Sequence, residues 1–310
     1  MAVSGSKDFA ITKSQIIAAA LRKIGAYDQG EAISGDENAA ASIALNLFVK
    51  SLPARGADLF LRQEVTLFLQ KNEQKYLLGS TAEATTNFVA TTLSAAEASG
   101  QTVIGVTSTT GMLPNDRIGI KMDDATMHWS TISKVQSATS VQIATATDAA
   151  AASGNNVYAY TTRSVRPQKL EYVSRRDTNA IDTPVDLIGE NEYRRLSQKT
   201  SDGPPTQAWY HPSLDAGTLY VWPTNGGSSY DKLVLIQDIL PDDMDSAGNN
   251  PQFPIEWGEV LIYGTADRLA PEYGLPIMER RELKTELEFH LKNALDYDVE
   301  NASVIFVAGR

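Results

Sequence analysis

The sequence predicts an α+β fold in which two N-terminal and two C-terminal helices form a four-helix core. A β-hairpin/sheet part joins that core, and a small all-β barrel or sandwich domain is inserted into it. Three observations predict this. Long helical periodicity with entry signals lies near both ends of the chain, and period-two alternation of apolar residues fills the middle. Residues 82 to about 165 form an Ala-, Thr- and Ser-rich island of short strand patterns. A chain of 310 residues is long enough for about two domains.

Thr12 with Gln15 makes a capping box, Ile11 is placed to staple onto Ile16, and a helix is predicted over about 13–24, ended by Gly25. Ser34 with Glu37 repeats the signature, and Ile43, Leu47 and Phe48 carry a second helix to about Leu52, before Pro53. Two helices on a short link are expected to pack antiparallel. After Gly56 the period changes: Val65, Leu67 and Leu69 alternate with Thr66, Phe68 and Gln70, and Tyr76–Leu78 ends at Gly79, which reads as one or two strands.

Within the island, strands are expected at Thr102–Thr107, Arg117–Lys121, Met127–Val135, Ser140–Thr145 and Asn156–Thr162. The predicted organisation is a discontinuous core of 1–81 and 166–298, an inserted β domain at 82–165 and an extended tail at 299–310. The alternative is a linear order in which the island is simply the second domain.

Beyond the island, 169–173 resumes a strand and Glu190–Leu196 a short helix. GTLYVWP (217–223) and KLVLIQ (232–237), joined by TNGGSS, read as a hairpin. A polar loop then runs to Pro254, where proline suits a first helical turn. Trp257, Val260, Leu261 and Leu269 stripe a helix that stops by Pro271. A final helix over about 277–295 carries Leu283, Leu287, Leu291 and Leu295 at four-residue spacing.

Charge is uneven along the chain. The net charge is −11, and residues 231–310 hold 7 Lys/Arg against 16 Asp/Glu while the preceding 230 residues are nearly balanced. Nothing offers the basic face that a tight nucleic-acid binder needs to neutralise phosphates. The acidic third reads either as a solvated face that aids solubility or as a functional surface. Hydrophobic residues at 42% and charged ones at 21% fit a folded globular chain. Cys 0 excludes a thiolate nucleophile, an iron–sulfur cluster and a cysteine zinc site. The opening MAVSGSKDFA lacks an apolar h-region, so no signal peptide is expected, and no apolar run approaches a membrane span.

Catalytic signatures are scarce. There is no GxSxG, P-loop, GxGxxG or HExxH, and His128, His211 and His290 are far apart. Glu286 and His290, one helical turn apart, read as half of a metal site or as a solvated helix face. Asp243, Asp245, Ala247 and Gly248 resemble a calcium loop but lack a ligand at Ala247 and a closing Glu, so they read as a helix-entry loop. Tyr210, Tyr220 and Trp222 suit either a sugar-stacking platform or a core. No cofactor is expected, and the chain reads as a non-enzyme.

GTLYVWPT (217–224), PQFPIEWGEVLIYGTADRLAPEYGLP (251–276) and DYDVENASVIFVAGR (296–310) resemble the head-to-tail adaptor (connector) family of tailed bacteriophages, as in the tail accessory factor and tail tubular protein A of short-tailed phages. The opening ITKSQIIAAALRKIGA and the segments near 182–196 fit as well, and the 251–276 block is the most specific. RIGIKMDDATMHWSTI (117–132) resembles an extra β domain present in some members only.

The resemblance implies a structural virion protein at the head–tail junction, made in the host cytoplasm. About twelve copies would form a closed homo-oligomeric ring below the portal protein. Such a ring would extend the channel for passing double-stranded DNA and meet a downstream tail or nozzle protein. It also implies portal contact by Val304, Ile305, Phe306, Val307 and Arg310. An acidic wall lets phosphate slide past, and Glu256, Glu259 and Asp267 are the expected channel-lining residues. The alternatives are a receptor-binding or baseplate-type tail protein that uses the β domain, a cell-wall glycan hydrolase, and a cytosolic scaffold.

Overall fold

The computed structural model describes residues 9–28, 30–57, 59–227 and 230–297. In chain order it contains helices α1 (Lys13–Lys23) and α2 (Gly35–Ser51), then strands β1 (Arg62–Phe68), β2 (Lys75–Leu78), β3 (Ala84–Thr85), β4 (Val89–Thr92), β5 (Val103–Gly105), β6 (Arg117–Lys121), β7 (Met127–Ser137), β8 (Ser140–Ile143) and β9 (Asn156–Tyr160). There follow β10 (Lys169–Asp177), β11 (Asp182–Leu187), α3 (Glu190–Arg195), β12 (Gln207–His211), β13 (Gly217–Trp222), β14 (Tyr230–Asp238), α4 (Gly258–Leu269) and α5 (Ile277–Tyr297). The chain is α+β and divides into two compact units: 1–62 with 240–310, and 63–239. The composition break at 81/82 and 165/166 therefore falls inside the second unit.

In the helical unit, α4 packs against α1, α2 and α5, and one apolar cluster serves all four helices. Helix α1 begins with the capping box: Thr12 N donates to Gln15 Oε1 at 2.9 Å and Gln15 N donates to Thr12 Oγ1 at 3.4 Å. Its next exposed donors are also met, because Lys13 N and Ser14 N donate to the carbonyls of Asn249 and Ala247 at 2.8 and 3.2 Å. Asn46 and Met244 exchange two further bonds. The 243–249 run thus ties α1 and α2 together. Gly264 lies against the Phe48 ring so closely that a Cβ would stand 2.1 Å from it, which sets the α2–α4 approach. Trp257 is fully buried in a ring cluster with Phe60 and Phe253.

The stripe predicted for α2 needs correction. Phe48 is buried, but Ile43 and Leu47 are 63% and 56% exposed, and the inward side is Ala41, Leu45, Phe48 and Val49. Two stripes on α2 share helical spacing, and periodicity alone does not choose between them.

The β unit holds two sheets. The first has the order β2-β13-β12-β11-β10-β14-β1-β3 and curls into a nearly closed barrel. Only its β11–β12 pair, among those with a recorded register, is parallel. Val65, Leu67, Leu69, Leu219, Val221 and Leu235 lie in its core. The second, β4-β9-β6-β7-β8-β5, is wholly antiparallel, curls as a half-barrel around Ile118, Ile120, Ile132 and Val157, and is built from 89–160 alone. It neither closes into a barrel nor stacks two sheets as a sandwich. Phe68 points away from the barrel core into a third cluster with Met127, Tyr158 and Tyr160, against which Phe88 and Trp129 pack.

The hairpin predicted between 217–223 and 232–237 does not form. Strand β13 pairs with β12 and β2, while β14 lies between β10 and β1. The intervening residues bond elsewhere: Thr224 exchanges bonds with Ser201 and Gly203, and Asn225 O accepts from Asn72 N at 2.8 Å. Turn chemistry was present, but its partners come from distant loops. Among the described residues no helix is long and apolar enough to cross a membrane.

Candidate functional site

The helical unit gathers its chemistry-bearing side chains in a cleft of about 570 Å³ between α1, α4 and α5. Lys23 ends α1, and its Nζ donates to Tyr263 Oη on α4 at 2.8 Å while lying 4.5 Å from the ring centroid. The bond to Tyr263 raises the Lys23 pKa above the ordinary lysine value. Burial opposes the rise, and the nearby Glu259 and Glu286 carboxylates add to it. His290 of α5 also stacks on the Tyr263 ring, at 5.1 Å and 19°, with Nε2 4.0 Å from Glu286 Oε2. Glu279, Glu282 and Glu286 line the same cleft beside Met278 and Leu283.

The cleft therefore presents three carboxylates among apolar side chains, with the Lys23 ammonium and the Arg281 guanidinium also in its lining. It supplies charge and shape. Glu286 and His290 form only a pair, and among the described residues no group of three or more His, Asp or Glu side chains is placed to hold a metal ion.

The proposed lining residues lie on or next to α4. Glu256 is exposed in the single turn Ile255–Trp257, Glu259 is exposed in the first turn of α4, and Asp267 is half-buried. Glu259, Tyr263 and Asp267 follow at four-residue spacing, so they share one side of the helix. Of the three acids, only Glu259 is brought into the field of Lys23. Val304, Ile305, Phe306, Val307 and Arg310 lie outside the described residues.

The other histidines stand apart. His128 is buried in the half-barrel, with Nδ1 3.1 Å from Asp148 and Nε2 3.2 Å from the Thr145 carbonyl. His211 lies against Trp209 in the barrel sheet.

The three candidate aromatics divide by strand alternation. Tyr210 packs against the barrel core and donates to the Pro167 carbonyl at 2.6 Å. Tyr220 instead stacks on Trp209 at 4.6 Å with Tyr193 beside both, and Trp222 Nε1 donates to the Gln198 carbonyl. Lys75, Arg194 and Lys199 approach the Tyr220, Trp209 and Tyr193 rings.

Sequence reasoning did not single out Lys23, Tyr263 or the Glu83 ion cluster described below. The Glu259–Tyr263 spacing was visible, whereas nothing local links Lys23 to a residue 240 positions away. The chain matches no family model and no curated protein.

Proposed function

We propose that this protein is a structural head-to-tail adaptor of a tailed bacteriophage. In this reading about twelve copies form a ring below the portal, continue the DNA channel and join head to tail. The supporting observation is the coincidence of two features in α4. It is the hub of the helical unit, and it lies in the 251–276 block, whose resemblance to the adaptor family is the most specific.

Charge is consistent with the same reading. Residues 1–62 and 240–310 carry 13 Lys/Arg against 20 Asp/Glu, while 63–239 carry 14 against 18. A conduit for DNA must repel phosphate rather than grip it. At physiological salt, repulsion acts over about 8 Å, so the acids must stand at the lumen surface. Glu256, Glu259 and Asp267 fill that role in this proposal.

Electron microscopy of the full chain mixed with the portal of the same phage tests it. The expected image is an added ring below the portal with the α4 acids toward the lumen. A portal that stays bare at saturating protein, or an assembled ring with α4 on its outer surface, overturns respectively the adaptor reading and the lining assignment.

A further inference from the structure

We infer that the polar pocket where the half-barrel meets the β2–β3 connection is a binding site for a small oxyanion of the phosphate or sulfate type. The pocket, about 350 Å³, is lined by Asn115, Arg117, Thr131, Tyr160, Thr161 and Arg163. Register places Arg117 on β6 directly between Thr131 on β7 and Tyr160 on β9, so these three stand in a row on the sheet face opposite its own core.

Arg117 is held rigidly. Its Nε and Nη2 donate to Glu83 Oε1 at 3.0 and 2.7 Å, its Nη1 donates to the Ser130 carbonyl at 3.2 Å, and its Cζ lies 5.7 Å from the Trp129 ring centroid. Arg163 reaches the same carboxylate through Nη2 at 3.3 Å, and the Tyr160 hydroxyl donates to it too.

Glu83 is thus one carboxylate shared by two guanidinium groups and a phenol. With Asp116 beside Arg117 the charges balance, two guanidinium groups against two carboxylates, but five N–H donors per guanidinium exceed the acceptors at hand, which are Glu83 and the Ser130 and Ser80 carbonyls. The Arg163 Nε is buried without a hydrogen-bond partner. Asp116, the nearby acid, accepts from Leu113 N and from the Thr161 hydroxyl and is not among the lining residues. Forked planar donors suit an oxyanion edge, and the Asn115 amide and Thr131 hydroxyl supply neutral contacts beside them. The volume leaves room for a substituent, so the ligand is the free ion or a monoester. The inference is independent of the adaptor reading.

Titration calorimetry of the full chain at low ionic strength tests it. The probes are sodium phosphate, sodium chloride at matched ionic strength, a hexose phosphate and the unphosphorylated hexose. The expected result is a saturable heat with phosphate and none with chloride or hexose. Tighter binding of the hexose phosphate than of phosphate identifies a monoester as the natural form, and equal binding identifies the free ion. Arg163→Gln should weaken binding about tenfold, the scale of one charge-assisted hydrogen bond. Thr131→Asp, which adds a carboxylate at a half-exposed position opposite Arg117 and removes none of the basic side chains, should abolish it. No heat with phosphate beyond that with chloride, or unchanged binding in whichever of the two variants keeps the wild-type circular-dichroism spectrum, overturns the proposal.

Discussion

In the helical unit a single cluster of side chains serves all four long helices, with α4 at its centre. The β unit distributes the same task over three clusters: one inside the barrel, one inside the half-barrel, and an aromatic one around Phe68. The difference follows from geometry. A helix offers one stripe and is satisfied by one core, whereas a strand has two faces, and β1 buries both from Val65 to Phe68. Damage to a shared hub should therefore spread through its unit, and damage to one β cluster should stay closer to its own sheet.

Trp257→Ala is the most severe way to break that contrast. Trp257 is among the largest fully buried side chains, and truncating such a ring costs about 3–5 kcal/mol. Urea unfolding followed by the helical circular-dichroism signal should show the whole helical transition moved to lower denaturant. A shift confined to part of that signal would show that the helices do not share one core.

Gly119→Val is the corresponding lesion in the β unit. The Trp129 ring packs against Gly119, where a Cβ would stand 2.6 Å from it. Displacing the ring overpacks the aromatic cluster at a cost of about 1–3 kcal/mol. Near-ultraviolet circular dichroism should change while the helical signal keeps its wild-type midpoint. Loss of the helical transition at the same denaturant concentration would contradict the division of labour.

This contrast also marks how far the sequence was legible. Helix ends were written locally, in Thr12 with Gln15 and in Ser34 with Glu37, and α1, α2, α4 and α5 appear in the predicted stretches, although α2 buries a different side from the one its stripe predicted. The island's strands were legible too, with β6 spanning Arg117–Lys121, while β3 and β4 were too short or too polar to register. Strand pairing was not legible, because the edges of β13 and β14 are filled by strands distant in sequence. The same limit hid the site residues. Lys23 meets Tyr263, and Glu83 meets Arg117 and Arg163, only after non-local segments come together.

Thr12→Ala probes the most local of these features. Its side chain caps α1, and replacing such a cap by alanine costs typically about 1 kcal/mol. The helical transition should move by that much and the near-ultraviolet spectrum should not change. A loss as large as that of Trp257→Ala would mean that the 243–249 strap, which meets the next two donors of α1, depends on the cap for its own order.

The smallest effect lies in the β unit and is read through pH. Hydrogen bonding to Arg176, at 2.7 Å to each carboxylate oxygen, holds Asp182 below its ordinary carboxylate pKa. A depressed folded-state pKa means that the folded protein is stabilised above the unfolded value, near 3.8, and that this stabilisation disappears as pH falls through the folded value. Asp182→Asn should thus lower stability at neutral pH, and the two curves should converge in acid. The pair is partly exposed, so the difference should be about 0.2–1 kcal/mol and should shrink in salt. Asp124, at the β6–β7 turn, is depressed chiefly by hydrogen bonds from the Thr126 hydroxyl and amide, at 2.6 and 2.9 Å, rather than by a paired cation. Asp124→Asn should therefore show the same acid convergence with little salt dependence. Stability curves against pH at low and high salt separate the two cases, and equal salt sensitivity in both would show that Lys71, the nearest cation contributing to Asp124, outweighs the local turn.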